Sequence, residues 1–202
     1  MPADLPFQSL TELARRLDAR ETTSVAIVEA CLANIDAQDA KLHAFVEVWR
    51  DDALRLARAA DLEREAGCVR GRLHGLPIAI KDQFHFKGRQ TTAGSKSWHG
   101  RVSSETAVCV ERLLAAGMSP LGKTHLVEFA YGTWGTNRPM GTPWNPWDLR
   151  VHRVPGGSSS GSAVAVAALL TASVTCSRTG LSSSISSPSV VEGVTITGFS
   201  NV

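Results

Sequence analysis

Reactive groups gather at two places in this 202-residue chain: a run of small residues, Pro155-Gly156-Gly157-Ser158-Ser159-Ser160-Gly161-Ser162, and a charged pair, Lys81-Asp82, closing an apolar stretch. The Gly/Ser run leads into an alanine-rich segment of helical character, so a phosphate cradle built from helix-start N–H groups has to be considered. That pattern requires Lys after the last glycine and then Ser or Thr. Ser162 and Ala163 stand there instead, and the nucleotide reading fails at its charged residue. A flexible Gly/Ser linker is the plain alternative. The Asn145-Pro146-Trp147-Asp148 turn before the run and the helix directly after it weigh against a linker.

Acyl transfer on an amide needs a nucleophile, a proton acceptor and backbone donors for the tetrahedral oxyanion. No Ser-His-Asp set is evident. His43, His74, His85, His99, His125 and His152 are unclustered, show no zinc-ligand spacing, and read as surface or loop residues. A lysine base is open. Lys81 ends a short run whose burial would lower an amine's proton affinity enough for it to act as a base. The competing reading is an exposed lysine, or one paired with Asp82.

The elements that must position these groups follow from periodicity. Ser9 with Glu12 makes a capping box before Leu10, Leu13, Ala14 and Leu17, which predicts a first helix. Ser24 is predicted to cap a second helix through Val28, Cys31, Leu32 and Ile35, and residues 50–66 form a third before Gly67. The charges on these helices, Arg15, Arg16, Arg55, Arg58, Glu63 and Arg64, read as solvated faces. Residues 76–80 have strand length, 105–116 read as a helix closed by Gly117, and 118–121 as a strand closed by Gly122-Lys123. Strand, helix, strand implies an α/β layout. Residues 131–161, rich in Gly, Pro, Trp and Asn, read as functional loop, with Trp134, Met140, Trp144 and Trp147 as packing anchors or as the mouth of a site. Residues 163–170 follow as a helix.

Length and composition set outer bounds. The chain has room for one sizeable core or two small ones. A net charge of +2 offers no footprint for nucleic acid or anionic lipid. No long apolar span or secretory leader is seen, so a cytoplasmic protein is expected, with Cys31, Cys68, Cys109 and Cys176 as reduced thiols.

Taken together, the motifs resemble those of the amidase signature family. They are Gly71-Arg72-Leu73-His74-Gly75-Leu76-Pro77-Ile78-Ala79-Ile80-Lys81-Asp82, Thr91-Thr92-Ala93-Gly94-Ser95, Ala115-Ala116-Gly117 with Leu121-Gly122-Lys123-Thr124, Glu128-Phe129-Ala130, Gly135-Thr136-Asn137, Asn145-Pro146-Trp147-Asp148 and residues 155–162, in the family's order. The likeness covers residues from about 8 to about 168. It implies α/β/α layers with a mixed central sheet and a helical N-terminal segment. It also implies carboxamide hydrolysis through an acyl-enzyme by a Ser-cis-Ser-Lys triad, with no cofactor or metal. Carried over, Lys81 resembles the general base, and Ser158, after a cis bond from Gly157, the bridging serine.

The family's nucleophile segment, GTDTGGSIRxPA, is replaced here by Cys176-Ser177-Arg178-Thr179-Gly180-Leu181-Ser182-Ser183-Ser184-Ile185. Counting from Ser158 makes Ser182 the nucleophile, with Gly180 and Leu181 at the oxyanion hole; matching the SIRxP end makes it Ser184. Residues 1–170 thus read as the N-terminal part of an amidase domain and 171–202 as a divergent Ser/Thr-rich tail, the whole a fragment. Three functions follow: an amidase acting on a small-molecule amide, a non-catalytic remnant, or the A subunit of a tRNA-dependent amidotransferase. The small net charge and the lack of an apolar span lead to no expected contact with nucleic acid or membrane.

Overall fold

In the computed structural model, which describes residues 8–168, 170, 171, 173–175 and 195–197, the Ser9 hydroxyl accepts the Glu12 N–H at 3.1 Å and starts α1 (Leu10–Asp18). Its apolar spacing buries Leu13, Ala14 and Leu17. The cap of α2 (Ser24–Leu42) is Thr23 rather than Ser24, its hydroxyl accepting the Ala26 N–H at 3.1 Å. Ser24 is the first helical residue. Its N–H and that of Val25 donate to the Asp61 carboxylate at 2.7 and 3.0 Å, which ties α2 to α3 (Arg50–Glu65). Between them lies a strand that the sequence reading missed, β1 (Phe45–Val48).

Two of the charges expected to be solvated are structural. Arg64 is largely covered; it pairs with Asp18 at 3.0 Å and donates to the His74 carbonyl at 2.9 Å. Glu63 receives Arg70 and lies 3.1 Å from His74 Nε2. His74 is therefore a core histidine, and its Nδ1 accepts the Arg70 N–H at 3.1 Å. Burial holds its proton affinity below the ordinary imidazole range. These contacts shape the turn into β2 (Pro77–Lys81), every residue of which is buried.

The helix α4 (Val108–Ala115) begins later than its sequence suggested, and its cap position, Ala107, has no side-chain acceptor. The strand β3 (Ser119–Thr124) is longer than expected and contains Gly122-Lys123 rather than ending at them. Gly122 has φ +153, and a Cβ there would collide with the Glu47 carbonyl oxygen, so the glycine admits β1 rather than making a turn. With β4 (Ser173–Thr175) and β5 (Thr195–Thr197), the sheet runs β1-β3-β2-β4-β5. Pairing is parallel at β2–β3 and β2–β4 and antiparallel at both edges, which makes a mixed sheet.

The period of two in β2 splits the core. Ala79 joins Leu121 and residues of α2, α3 and α5 (Ser160–Ala167) on one side. Ile78 and Ile80 pack with α1 and α4 through Leu13, Leu17, Leu113 and Val110 on the other. That is the α/β/α layering expected. Each fully buried Leu or Ile contributes roughly 1.5–3 kcal/mol. Most of 131–159 is irregular, as read; α5 starts at Ser160 and stops short of Leu170. Among the described residues no helix is long and apolar enough to cross a membrane. Cys31, Cys68 and Cys109 form no disulfide among the described residues, and burial pushes the Cys31 thiol up to about 12.

Candidate active site

The parallel strands β2 and β3 end side by side, Lys81 opposite Thr124, and it is beyond such carboxyl ends that α/β folds place their sites. Alternation sends Lys81 to the same face as Ala79, the face covered by α5. Its side chain is 3% exposed, and Nζ donates to Ser158 Oγ at 2.8 Å. The alternative of a Lys81–Asp82 pair does not hold. Asp82 points to the opposite face and pairs with Lys123.

Backbone and hydroxyl contacts hold Ser158 against the strand ends. Its carbonyl accepts the Val127 N–H at 3.0 Å, and the Gly161 N–H donates to the His125 carbonyl at 2.9 Å. Thr124 Oγ1 and Ser162 Oγ, both buried, share a hydrogen bond of 2.8 Å. A Cβ at Gly157 would lie 2.8 Å from the Gly135 N, and one at Gly161 would collide with the Ala44 carbonyl oxygen. The Gly/Ser run is thus a packed wall rather than a linker, with Gly157 and Gly161 required by close approach of backbone. The Gly157–Ser158 peptide bond is cis.

On the other face Lys123 Nζ donates to Asp82 Oδ1 at 2.5 Å, to Thr91 Oγ1 at 3.2 Å and to the Gln90 carbonyl at 3.3 Å. Asp82 Oδ2 accepts the N–H and the hydroxyl of Thr92 at 3.1 and 2.5 Å. Both charged residues are 1% exposed. Burial pulls the Lys123 ammonium below the ordinary lysine range, and the Asp82 carboxylate offsets part of that. Sequence reading missed this pair, since Lys123 was assigned to a turn.

The loop beyond β3 encloses the same end of the sheet. Asn137 Nδ2 donates to the carbonyls of Gly94 and Leu126 at 2.7 and 2.9 Å, which joins three loops. Trp144 is a packing anchor, half-buried against the core with its backbone N–H on the Leu42 carbonyl, whereas Trp134 and Trp147 are exposed. Gly180, Leu181, Ser182 and Ser184 lie outside the described residues, as does Cys176.

His125, expected at the surface, is buried directly after β3, and its Nδ1 has no hydrogen-bond partner among the described residues. Burial, and then the nearby His43, lower its proton affinity to about 4 despite Asp82, so the folded chain holds it neutral. The unfolded chain binds that proton near 6.5. As pH falls from about 7 to about 4 the unfolded state gains a proton that the folded state refuses, and stability drops by about 3 kcal/mol from this group. Urea midpoints measured across that range are expected to fall, and His125→Asn to flatten the fall. A wild-type slope retained in His125→Asn refutes the assignment.

Lys81 and Ser158 form a hydrogen-bonded pair at the end of the central strand of the sheet, walled by backbone that leaves no room for a side chain at Gly157 or Gly161. The family model described as Amidase matches residues 26–198. The glutamyl-tRNA(Gln) amidotransferase A subunit of Aromatoleum aromaticum is 46% identical over 187 residues, which is 93% of this chain and 37% of the relative. That of Streptomyces coelicolor is 43% identical over 166 residues, 82% of this chain and 33% of the relative. The native peptide amidase from Stenotrophomonas maltophilia superposes with a TM-score of 0.75 at 37% identity, covering 83% of this chain and 35% of that one. The chain spans about a third of the length of these relatives.

Proposed function

Because the chain belongs to the amidase family, we propose that it carries the base side of a hydrolase that cleaves carboxamide C–N bonds. The observation supporting this is the contact of 2.8 Å between Lys81 Nζ and Ser158 Oγ, deep at the end of β2. With the amine neutral, the same contact runs the other way: Ser158 donates its proton to Lys81 and accepts one from the nucleophile, Ser182 or Ser184. The freed oxygen attacks the amide carbonyl, and the N–H groups of Gly180 and Leu181 receive the oxyanion. Lys81 then returns the proton through Ser158 to the departing amine, and water releases the acyl group. The substrate is a small-molecule amide.

Hydroxamate trapping tests this reading. The purified 202-residue chain, given a simple primary amide and hydroxylamine, is expected to form the hydroxamate catalytically. No product at high enzyme concentration refutes it and favours the non-catalytic remnant. The 46% identity to the A chain of a tRNA-dependent amidotransferase favours a second reading, a component that works beside other chains. Co-purification of the other amidotransferase components with the tagged chain is its test.

A further inference from the structure

We infer that Ser158 is itself a nucleophile, paired with Lys81 in a two-residue dyad that transfers acyl groups from activated esters independently of residues 176–189. The inference rests on Lys81 serving as a base, as in the reading above. It assigns Ser158 a role beyond relaying protons. A serine bonded to a lysine amine is a sufficient acylating pair on several unrelated folds, the lysine both taking the serine proton and supplying it to the leaving group.

Three features of the site fit that use. Lys81 is 3% exposed, so its stem is fixed and its amine is directed at the Ser158 oxygen. Ser158, by contrast, is only half-buried and follows exposed Gly157, so this turn is open to approach from solvent. Ser158 is also held from both sides, by Val127 on its carbonyl and by the packed glycines on either side of it. That limits the motion that would otherwise cost reactivity. The segment that carries the attacking serine elsewhere in the family departs from its Gly-Gly-Ser pattern here, reading Gly180-Leu181-Ser182.

The step balances on these two residues. Neutral Lys81 takes the Ser158 hydroxyl proton, Oγ forms a bond to the ester carbonyl carbon, and the bond from that carbon to the leaving oxygen breaks. The leaving group departs with the electron pair, protonated by Lys81 or, for a nitrophenolate, as the anion. Where the leaving group departs as an anion, Lys81 gives its proton to solvent; neutral Lys81 then takes a proton from water as it adds to the acyl-Ser158 carbonyl, the bond from the acyl carbon to Oγ breaks, Lys81 returns the proton to Oγ, and the carboxylic acid leaves. With an alkyl fluorophosphonate the first half proceeds alone: an O–P bond forms, fluoride leaves, and the adduct stays on the serine.

The chain reports where the adduct forms. Trypsin cuts after Arg153 and Arg178, so Ser158 falls in the peptide 154–178 and both Ser182 and Ser184 fall in 179–202. After treatment of the unaltered 202-residue protein with an alkyl fluorophosphonate, tandem mass spectrometry is expected to place the adduct on Ser158. The labelling rate is expected to fall by about 10²–10⁴ in Lys81→Met, the usual worth of a general base, and Ser158→Ala to take no label. Adduct on 179–202, on another serine of 154–178, or nowhere overturns the inference, as does an unchanged rate in Lys81→Met. Because the site is mapped on the unaltered chain, a variant that fails to fold leaves the result intact. Label on Ser158 without amide turnover sinks the hydrolase reading and keeps the dyad, whereas amide turnover with label on 179–202 does the reverse.

Discussion

Lys81→Met is expected to lower amide turnover by about 10²–10⁴ while leaving the melting temperature close to that of the parent chain. Methionine matches the length and apolar stem of lysine, so the buried path from β2 to Ser158 stays filled. The substitution introduces no new buried charge, because the amine itself is what has been removed. Ser158 loses the Lys81 contact but is half-buried, and water can take its hydrogen bond. The loss belongs in kcat, with KM nearly unchanged, since the amine acts on the moving proton rather than on the bound amide. Lys81→Arg discriminates charge from basicity. A guanidinium keeps the positive charge but does not give up its proton in a protein, so the arginine variant is expected to be as inactive as the methionine one. Initial rates at saturating amide, with melting curves on the same preparations, check both. Activity in Lys81→Arg above a tenth of the parent would make Lys81 an electrostatic support and not a base.

What the sequence disclosed about this site divides by distance along the chain. Local signals were legible: the Ser9 box, the apolar spacing of α1, and the short apolar run of β2 that ends in a lysine. Boundaries failed where several cap-type residues stand close together. Thr23 rather than its neighbour Ser24 caps α2, and α4 starts only at Val108, past Ser103, Ser104 and Thr106. β1 is four residues long, with only Phe45 fully buried, and its stabilising contacts come from β3, far along the chain. Phe45-Val46-Glu47-Val48 carries strand-forming residues, but four residues are too few to establish a strand period before α3 begins.

Gly122-Lys123 misled for a physical reason. A glycine followed by a charged residue after a short apolar run has the composition of a turn, whereas here the glycine makes room for the Glu47 carbonyl and the lysine is buried against Asp82. The meeting of Lys81 with Ser158 spans 77 positions, and no periodicity reaches that far. Family resemblance named both residues, and the fold supplies the distance between them. Roles for Ser182, Ser184, Gly180 and Leu181 are outside the described residues and stand as proposals.

The largest effect on stability is expected at the strand next to the base. Lys123→Met leaves the Asp82 carboxylate buried with only the Thr92 N–H and hydroxyl to answer it, since Oδ1 loses its ammonium. Removing one partner of a buried pair costs about 3–5 kcal/mol, because the surviving charge keeps its desolvation penalty without the attraction. For a chain of this size that corresponds to a melting temperature lower by roughly 10 °C. The double variant Lys123→Met with Asp82→Asn removes the orphaned charge, and the amide oxygen still accepts from Thr92. It is expected to recover more than half of the loss. Catalysis is coupled to the same pair through the backbone: the Asp82 N–H bonds the Thr124 carbonyl and its carbonyl accepts the Ala93 N–H, so Asp82 pins the end of the strand that aims Lys81. Turnover of Lys123→Met well below its melting temperature is therefore expected to fall in kcat, and to return with stability in the double variant. A double variant no more stable than Lys123→Met alone would show that the lysine acts through its contacts to Gln90 and Thr91 rather than through charge.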